Sequence, residues 1–394
     1  MFDSLGPAAP DPIIQLMHAF QTDPRGDKVD LGVGVYRDES GHTPVMRAVK
    51  AAEERLLQEQ DTKGYLGLTG DPAFHDAMQA LLLGGAVETA RIACAGTPGG
   101  TSALRQILDL AHRAWPDATV WISAPTWPNH PALVRASGLR LAEYRYYDDA
   151  AGAVDRDAML ADLEQAQRGD VVLLHGCCHN PTGADPSLQD WADIAALLER
   201  RGAVPLIDMA YQGFGDGLDA DAAGLRHLAA RLPEVLVAAS GSKTFGLYRE
   251  RVGLALAICR DGAERDSAAA ALAALNRENF AFPPDHGARI VTTILNDTTL
   301  RAEWSAELEA MRQRLAANRL TLARALRAET GSDRFGFLSA QRGMFSMLGT
   351  SGAQAEHLRK AHGIYLVGDG RINLAGLTEA GIPGVARAVA RTLR

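Results

Sequence analysis

One lysine follows an apolar β-type run and is flanked by small hydroxyl side chains. The run Val235–Ala239 leads into Ser240, Ser242 and Lys243, and Arg251 follows eight residues after the lysine. A buried strand that ends here places an amine at the carboxyl edge of a sheet, where open α/β folds bind their ligands. Two hydroxyls and a guanidinium nearby suit a dianionic phosphate. The stretch therefore predicts a phosphate site beside a nucleophilic lysine.

A second apolar run ends in a carboxylate. In Val204–Asp208 the acid terminates a predicted buried strand, where its charge is costly unless a cation pairs with it. The protonated ring nitrogen of pyridoxal phosphate is such a cation, and the same cofactor carries a phosphate and an aldehyde that forms a Schiff base with lysine. Tyr211 follows three residues later, within reach of the ring hydroxyl. The alternative is a structural aspartate that caps the next turn.

A glycine-containing loop gives a second indication of phosphate binding. Residues 97–101 read TPGGT and precede a helical pattern over Ser102–Arg113. Free backbone N–H groups at a helix N-terminus bind phosphate well. The loop is neither a Walker A motif nor a dinucleotide-binding fingerprint. An ordinary capped helix start is the alternative interpretation.

Three more side chains have types and positions that suit a flat, anionic ligand. Trp127 lies in the loop PTWPNH and could stack on a ring, since the flanking prolines hold it outside a regular element. Asn180 ends the stretch that precedes a Pro-Thr-Gly turn, where it would point into a cleft at the sheet edge. Arg371 opens a later β segment and could bind a carboxylate with two parallel hydrogen bonds.

The segment HGCCHNPTG also raises the question of a metal site. It places His175, Cys177, Cys178 and His179 within five residues. Zinc sites space their ligands to form a chelating turn and usually draw a second pair from elsewhere. The sequence offers no second pair, so we expect no metal.

The overall composition is that of a globular protein. The chain has 394 residues, 47% hydrophobic and 22% charged, which is enough for a large core and two structural domains. A net charge of -8 argues against nucleic acid or an anionic membrane as a partner. No apolar run reaches the length of a membrane span, and we expect no signal peptide. Four cysteines without framework spacing favour a reducing cytoplasm.

The elements that must position these residues alternate between strands and helices. This order predicts an α/β fold with a mainly parallel, seven-stranded sheet covered by helices on both faces. The last strand follows Arg251 after a short connection, so it can pair antiparallel. The predicted strands are Arg91–Ala95, Thr119–Ser123, Leu139–Tyr146, Val171–His175, Val204–Asp208, Val235–Ala239 and Val252–Ile258.

The chain pattern also predicts a division into domains. Residues 1–12 form an N-terminal arm, and Asp11-Pro12 opens the first helix. Residues 45–310 form a large domain that holds the predicted sheet. Residues 13–44 and 311–394 form a smaller α+β domain. A long amphipathic helix over 302–328 links the two.

Taken together, these motifs resemble one family. The chain is similar to class I aminotransferases of the aspartate/aromatic amino acid subgroup, which are fold-type-I pyridoxal phosphate enzymes. The resemblance runs almost end to end, through LGVGVYRDE, YLGLTG, GGTSALR, PTWPNH, HGCCHNPTG, IDMAYQGF, SGSK, NRENFAFPP, RGMFSMLG and GRINLAG in that order. It implies reversible transamination in a homodimer whose active sites are shared across the interface.

The resemblance also implies roles for individual residues. Lys243 would form the Schiff base and then move the proton, and Asp208 would pair with the ring nitrogen, backed by His130 and His175. The implied cofactor-binding residues are Tyr65 of the other subunit, Gly100, Thr101, Trp127, Asn180, Asp208, Tyr211, Ser240, Ser242, Lys243 and Arg251. The implied substrate-binding residues are Gly34, Trp127, Asn180, Arg277 and Arg371, with Phe345 near Arg371.

Departures from the family pattern bear on specificity. Arg277 matches the arginine that reaches across the dimer to a dicarboxylate, but Ala281-Phe282 stands where aspartate-selective members carry Ser-Asn. An apolar Phe282 beside Arg277 resembles the aromatic amino acid aminotransferases. Thr244 replaces an asparagine that is common there, and nothing in the sequence explains it.

The sequence is compatible with four functions. We expect transamination between an aromatic amino acid, also aspartate, and 2-oxoglutarate. An aspartate aminotransferase with little aromatic activity is the nearest alternative. A β-lyase or decarboxylase would keep the cofactor, but two carboxylate-binding arginines argue against it. A transcription regulator of the same fold would need an appended basic domain, which the acidic N-terminal stretch does not suggest.

Overall fold

A computed structural model describes Phe2, Gly6 and residues 11–393 of the chain. The predicted arm, residues 1–12, therefore lies almost entirely outside the described residues. The predicted start of the first helix is confirmed: Asp11 is its N-cap and accepts hydrogen bonds from the backbone N–H groups of Ile13 and Ile14. Proline at the first helical position loses no hydrogen bond, because that N–H has no intrahelical partner.

The helices of the described residues follow in chain order. They are Pro12–Thr22 (α1), Arg47–Glu59 (α2), Pro72–Leu83 (α3), Gly100–Ala114 (α4), Asn129–Ser137 (α5), Arg156–Leu163 (α6), Leu188–Arg201 (α7), Leu218–Asp221 (α8), Ala223–Arg231 (α9), Gly241–Thr244 (α10), Gly262–Asn279 (α11), His286–Asn296 (α12), Thr298–Thr330 (α13), Gly352–His362 (α14) and Ile382–Thr392 (α15).

The strands are shorter and fall into four sheets. They are Val29–Asp30 (β1), Ile92–Pro98 (β2), Thr119–Ala124 (β3), Arg140–Arg145 (β4), Tyr147–Asp148 (β5), Ala153–Val154 (β6), Val171–His175 (β7), Val204–Met209 (β8), Val235–Ser240 (β9), Val252–Ile258 (β10), Phe345–Met347 (β11), Ile364–Tyr365 (β12) and Arg371–Asn373 (β13). The large sheet has seven strands in the order β2-β10-β9-β8-β7-β3-β4.

The seven predicted strands are the seven strands of this sheet. The strands run parallel to one another except β10, which pairs antiparallel with both β9 and β2. Every residue of β7 and β10 is buried, as expected for strands covered on both faces. The apolar face of α4 packs on this sheet and shares one core with it, around Leu104, Ile107 and Leu173.

The chain divides into two compact units. One comprises residues up to Thr43, Pro181–Gly183 and Leu315–Arg394, and the other comprises Pro44–Asn180 and Ala184–Arg314. We call them the small unit and the large unit. The sequence pattern does not indicate that Pro181–Gly183 belongs with the small unit. The division falls within α13, which is one continuous helix.

The small unit has its own core and two short sheets. Strand β1 pairs with β12 in parallel, and β11 pairs with β13 antiparallel. Within the segment Val29–Val35, only Val29–Asp30 is a strand. Beyond Asp30 the backbone carbonyls of Val33 and Val35 accept hydrogen bonds from the Asn373 side chain instead of a neighbouring strand.

No helix within residues 11–393 combines the length and the apolar character that crossing a membrane requires.

Candidate active site

Lys243 lies in a short helix directly after β9. The Ser240 side chain caps this helix by accepting from the backbone N–H of Ser242 at 3.2 Å. The lysine is half-buried, and its Nζ lies 5.1 Å from the centre of the Tyr211 ring. Tyr211 follows the end of β8, the neighbour of β9, so both residues reach the same edge of the sheet. The predicted position of the lysine is confirmed.

Asp208 lies near the end of β8, opposite Ala238 of β9 and His175 of β7. Its Oδ2 accepts a hydrogen bond from Nε2 of the fully buried His130 at 3.0 Å. Burial alone would raise the pKa of Asp208. The hydrogen bond from His130 and electrostatic interactions with His130, His175 and Lys243 outweigh it and hold this pKa below its usual value of 3.8. Asp208 is therefore an ionised carboxylate at neutral pH.

A threonine that the sequence does not single out joins the two histidines. Thr126 Oγ1 lies 2.7 Å from Nδ1 of His130 and 3.1 Å from Nε2 of His175. The backbone N–H of Asn180 donates to Nδ1 of His175 at 3.4 Å. Burial lowers the pKa of His175 to about 3, so this ring is neutral.

These contacts fix one direction of hydrogen bonding. Nδ1 of His175 accepts from Asn180, so its Nε2 carries the proton and donates to Thr126. Thr126 then uses its single hydroxyl hydrogen to donate a hydrogen bond to Nδ1 of His130. His130 therefore carries its own proton on Nε2, and this N–H donates to Asp208. The only signal for Thr126 in the sequence is its place four residues before His130.

The histidines and the cysteines of the segment HGCCHNPTG have different neighbours. His179 stacks on Tyr146, with ring centres 4.0 Å apart, and its Nε2 lies 3.0 Å from Ser123 Oγ. Burial lowers the pKa of His179 well below its usual value. Among the described residues, Cys177 and Cys178 instead meet Asp221, with ligand atoms within 4.8 Å.

The pKa values of both cysteine thiols lie above their usual value. A hydrogen bond from Cys178 lowers the pKa of Cys177, but burial and nearby carboxylates raise it to about 12. Burial raises the pKa of Cys178 well above its usual value. Both thiols are therefore in the neutral, protonated form at neutral pH.

The N-terminus of α4 and Arg251 form a small cradle. Gly99 has φ +83°, and a Cβ there would lie 2.4 Å from Nη2 of Arg251. A Cβ on Gly100 would lie 2.8 Å from Cβ of Ser240. Arg251 also donates to Ser242 Oγ at 3.3 Å. Only glycines allow this close approach.

The cradle has the chemistry of a phosphate site. The first backbone N–H groups of α4, around Gly100 and Thr101, have no partner within the helix and carry its positive end. Together with two serine hydroxyls and the exposed guanidinium of Arg251, they form a donor set for a dianion. The residues present therefore fit a phosphate at the same sheet edge as Lys243.

Trp127 and Asn180 lie at the same edge. Trp127 is partly buried and packs edge-on against His130, with ring centres 5.3 Å apart at 89°. Asn180 is 4% exposed and directly follows the segment that leaves β7. The sheet thus brings most of the residues predicted from the sequence into one region of the large unit.

Two further predicted residues of the large unit, Tyr65 and Arg277, are exposed. Tyr65 is 85% exposed and stacks on Phe282, with ring centres 4.6 Å apart and planes at 15°. Arg277 is exposed in the last turn of α11. Ala281 has φ +64°, which is unusual for a residue other than glycine and turns the chain before Phe282.

The remaining predicted residues lie in the small unit. Arg371 is 3% exposed, donates to the carbonyl of Gly32 at 2.9 Å and has its guanidinium 4.6 Å from the centre of the Phe345 ring. A Cβ on Gly34 would lie 2.9 Å from Cζ of Phe345. A side chain at position 34 would therefore displace the Phe345 ring.

Comparison with known proteins agrees with the geometry. The family model described as aminotransferase class I and II matches residues 26–389. The chain is 55% identical over 389 residues to an aromatic-amino-acid aminotransferase of Paracoccus denitrificans, with 99% of each chain covered. It is 44% identical over 396 residues to an aspartate aminotransferase of Escherichia coli (strain K12), with 100% of each covered.

A solved structure extends this likeness to the whole fold. An aromatic-amino-acid aminotransferase from Burkholderia pseudomallei, covalently bound to pyridoxal phosphate, matches with a TM-score of 0.97 and 41% identity over 100% of both chains. Family model, relative and fold agree along the whole length, and the chain belongs to the aminotransferase class I and II family.

Proposed function

We propose that the protein catalyses reversible transamination between an aromatic amino acid, also aspartate, and 2-oxoglutarate, with pyridoxal 5'-phosphate as cofactor. One observation carries the proposal. A lysine beside Tyr211 lies at the same sheet edge as an ionised Asp208 and a cradle of glycines, serines and arginine. The relative that carries covalently bound pyridoxal phosphate supports the same cofactor.

The large unit supplies the residues that would hold the cofactor. We assign the phosphate to Gly100, Thr101, Ser240, Ser242 and Arg251. The ring would lie against Trp127, with its hydroxyl bonded by Asn180 and Tyr211 and its nitrogen facing Asp208. When bound, the cofactor supplies an aldehyde for the amine and a ring that withdraws electrons from the substrate Cα.

Lys243 would bind the aldehyde and then move the proton. With the cofactor bound, the half-buried amine would take a proton from the substrate Cα and return it to the cofactor's C4′ carbon. Its contact with the Tyr211 ring, at 5.1 Å, keeps it at the sheet edge. The ionised Asp208 would favour the protonated form of the ring nitrogen.

Arg371 would bind the substrate α-carboxylate, with Asn180 assisting. The buried guanidinium is held against Phe345 and by the carbonyl of Gly32, which limits its motion. A guanidinium of fixed orientation can bind a carboxylate with two parallel hydrogen bonds. Gly34 would lie where the small unit contacts the substrate, and its missing side chain leaves the Phe345 ring in place.

The exposure of Tyr65 and Arg277 supports a homodimer. A tyrosine that is 85% exposed and an exposed arginine are available to a second copy of the chain. We propose that Tyr65 reaches the partner's phosphate and that Arg277 reaches the partner's substrate side chain. All four cysteines are free thiols, which supports a cytoplasmic location.

Phe282 favours aromatic substrates over aspartate. Its apolar ring stands at the sequence position where the family's aspartate-selective members have a polar side chain that supports a distal carboxylate. The ring would also remain stacked on Tyr65, so the site keeps an apolar wall. Binding against this wall costs an aromatic side chain less free energy than a carboxylate, because the carboxylate must give up its bound water.

The alternative is an aspartate aminotransferase with little aromatic activity. Arg277 is present, and a relative 44% identical over the full length is an aspartate aminotransferase. Steady-state kinetics with 2-oxoglutarate decides between the two. We expect kcat/KM for phenylalanine to equal or exceed that for aspartate. A ratio strongly in favour of aspartate would replace the proposal by this alternative, and the absence of turnover with both donors would overturn it.

A further inference from the structure

A buried arginine that has no part in the proposed chemistry lies in the small unit. Arg319, in the second half of α13, is 2% exposed. Taking a guanidinium out of water is costly unless its N–H groups find acceptors. Where those acceptors lie shows which part of the unit this side chain organises.

The acceptors of Arg319 belong to the segment that leads into β11 and to β11 itself. Its Nε and Nη2 donate to the carbonyl of Gly343 at 3.1 and 2.9 Å, and Nη2 also donates to the carbonyl of Phe345. Nη1 donates to Ser346 Oγ at 2.7 Å. Further acceptors are the carbonyls of Leu338 and Arg342.

These bonds hold β11, which pairs with β13, the strand that begins with Arg371. We call this pair of strands the ribbon. Strand β11 pairs only with β13 in this sheet, Phe345 opposite Asn373 and Met347 opposite Arg371. A two-stranded ribbon of three residues a side is marginally stable alone, so its position depends on what packs against it. The Phe345 ring in turn lies 4.6 Å from the guanidinium of Arg371.

The neighbour of Arg319 on α13 secures the other strand. Asn318 is 4% exposed, and its Nδ2 donates to the carbonyls of Leu374 and Leu377, just after β13, at 3.2 and 3.0 Å. Adjacent residues of one helix thus hold the two strands of the ribbon. Arg319 donates more of these hydrogen bonds than Asn318 does. One of its acceptors is the carbonyl of Phe345, whose ring packs against Arg371.

We propose that Arg319 is a positioning residue for the α-carboxylate of the substrate: by holding β11 it fixes Phe345, and through Phe345 the orientation of Arg371. This proposal rests on the function proposed above for Arg371. Small displacements of a binding group lower its contribution steeply, because a bidentate contact needs both hydrogen bonds at once.

The experiment compares ligands with and without the α-carboxylate in the holoenzyme. In Arg319→Met we expect the dissociation constant of 3-phenylpropionate to rise at least about tenfold, and the half-reaction with phenylalanine to slow similarly at low concentration. The half-reaction with 2-phenylethylamine, which lacks the carboxylate, should change by less than about twofold. Bound cofactor and its absorbance spectrum should stay as in the wild type.

Two further variants make the test decisive. Arg324→Met removes an exposed arginine from the same helix and should leave all ligands unaffected. Ser346→Ala removes one acceptor of Arg319 and should show a smaller effect of the same kind, which can be measured if Arg319→Met does not fold. Equal losses for the acid and the amine, or no loss for either, would overturn the proposal. A wild type inactive with phenylalanine would instead overturn the proposed function.

Discussion

Nε2 of His130 donates to Oδ2 of Asp208 at 3.0 Å, and the histidine ring is completely buried. The other ring nitrogen, Nδ1, accepts a hydrogen bond from the Thr126 hydroxyl. This bond selects the tautomer that carries its proton on Nε2, the atom that donates to Asp208. Burial opposes the negative charge of Asp208. The carboxylate stays ionised because His130 is oriented to donate a hydrogen bond to it.

Replacing His130 by Ala should shift the pH dependence of activity. The variant removes the main group that lowers the pKa of Asp208, so this pKa rises and the carboxylate becomes protonated at a higher pH. We expect the acidic limb of the kcat/KM profile for phenylalanine to move to higher pH. Thr126→Val, which leaves the ring but frees its tautomer, should give a smaller shift. An unchanged acidic limb in both variants would contradict this role.

Lys243→Ala should abolish transamination. Without the amine, neither cofactor attachment nor proton transfer at Cα can proceed, and a positioned general base alone contributes about a hundredfold to ten-thousandfold. Rates of the phenylalanine half-reaction would be measured by absorbance, together with the pH-dependent absorbance of the bound cofactor, which should disappear. Lys50→Ala, an exposed lysine of α2 paired with Glu53, serves as the control and should retain full activity.

Gly99→Ala should weaken cofactor binding. Its Cβ would lie 2.4 Å from Nη2 of Arg251, and the backbone φ of +83° is unfavourable for alanine. The guanidinium must move out of the cradle, so we expect the dissociation constant of pyridoxal phosphate to rise at least about tenfold, measured by titrating the apoenzyme. Gly262→Ala, at the start of α11 with no atom within 4 Å of the added Cβ, should bind as the wild type does.

Phe282→Asn should change substrate preference. It replaces the ring stacked on Tyr65 by a polar side chain of the kind found in aspartate-selective members. We expect the ratio of kcat/KM for phenylalanine to that for aspartate to fall about tenfold, since one apolar contact is worth about 1–3 kcal/mol in discrimination. Phe337→Asn, at a partly buried site in the small unit, controls for the loss of any phenylalanine. An unchanged ratio would show that Phe282 does not set specificity.

The buried histidines should make the protein sensitive to acid. The pKa of His175 falls to about 3 on folding, and that of His179 falls well below 6.5, chiefly through burial. As pH decreases below 6.5 the unfolded chain binds protons that the folded chain does not, so stability is lost from there downward. Each histidine contributes a slope of about 1.4 kcal/mol per pH unit in that window.

Urea denaturation of the holoenzyme between pH 7.5 and 4.5 would measure this slope. The double variant His175→Asn, His179→Asn should show a shallower decline of the free energy of unfolding with decreasing pH. His18→Asn, which replaces an exposed histidine, should keep the wild-type slope. Equal slopes in all three proteins would contradict the assignment.

The sequence predicts the elements of the large sheet because its strands are long and apolar. Continuous buried runs such as Val171–His175 stand out from their surroundings, and the short connection after Arg251 indicated the antiparallel strand. The small strands are harder to place: β1 has two residues, and it pairs with β12, more than three hundred residues away.

The site shows the same contrast. Lys243 and Asp208 can be found because each follows a strand whose end is visible in the sequence. Thr126 and Arg319 cannot, because their importance lies in hydrogen bonds to partners that only the folded chain brings close. A buried arginine in an amphipathic helix has no distinct sequence pattern.

The reversed direction of β10 has a consequence for how far the chain can vary. Because this strand starts where its parallel neighbours finish, the connection from β9 to β10 begins and ends at the same edge of the sheet, and it carries both Lys243 and Arg251. An inserted residue in this connection would therefore change the spacing between the amine and the guanidinium.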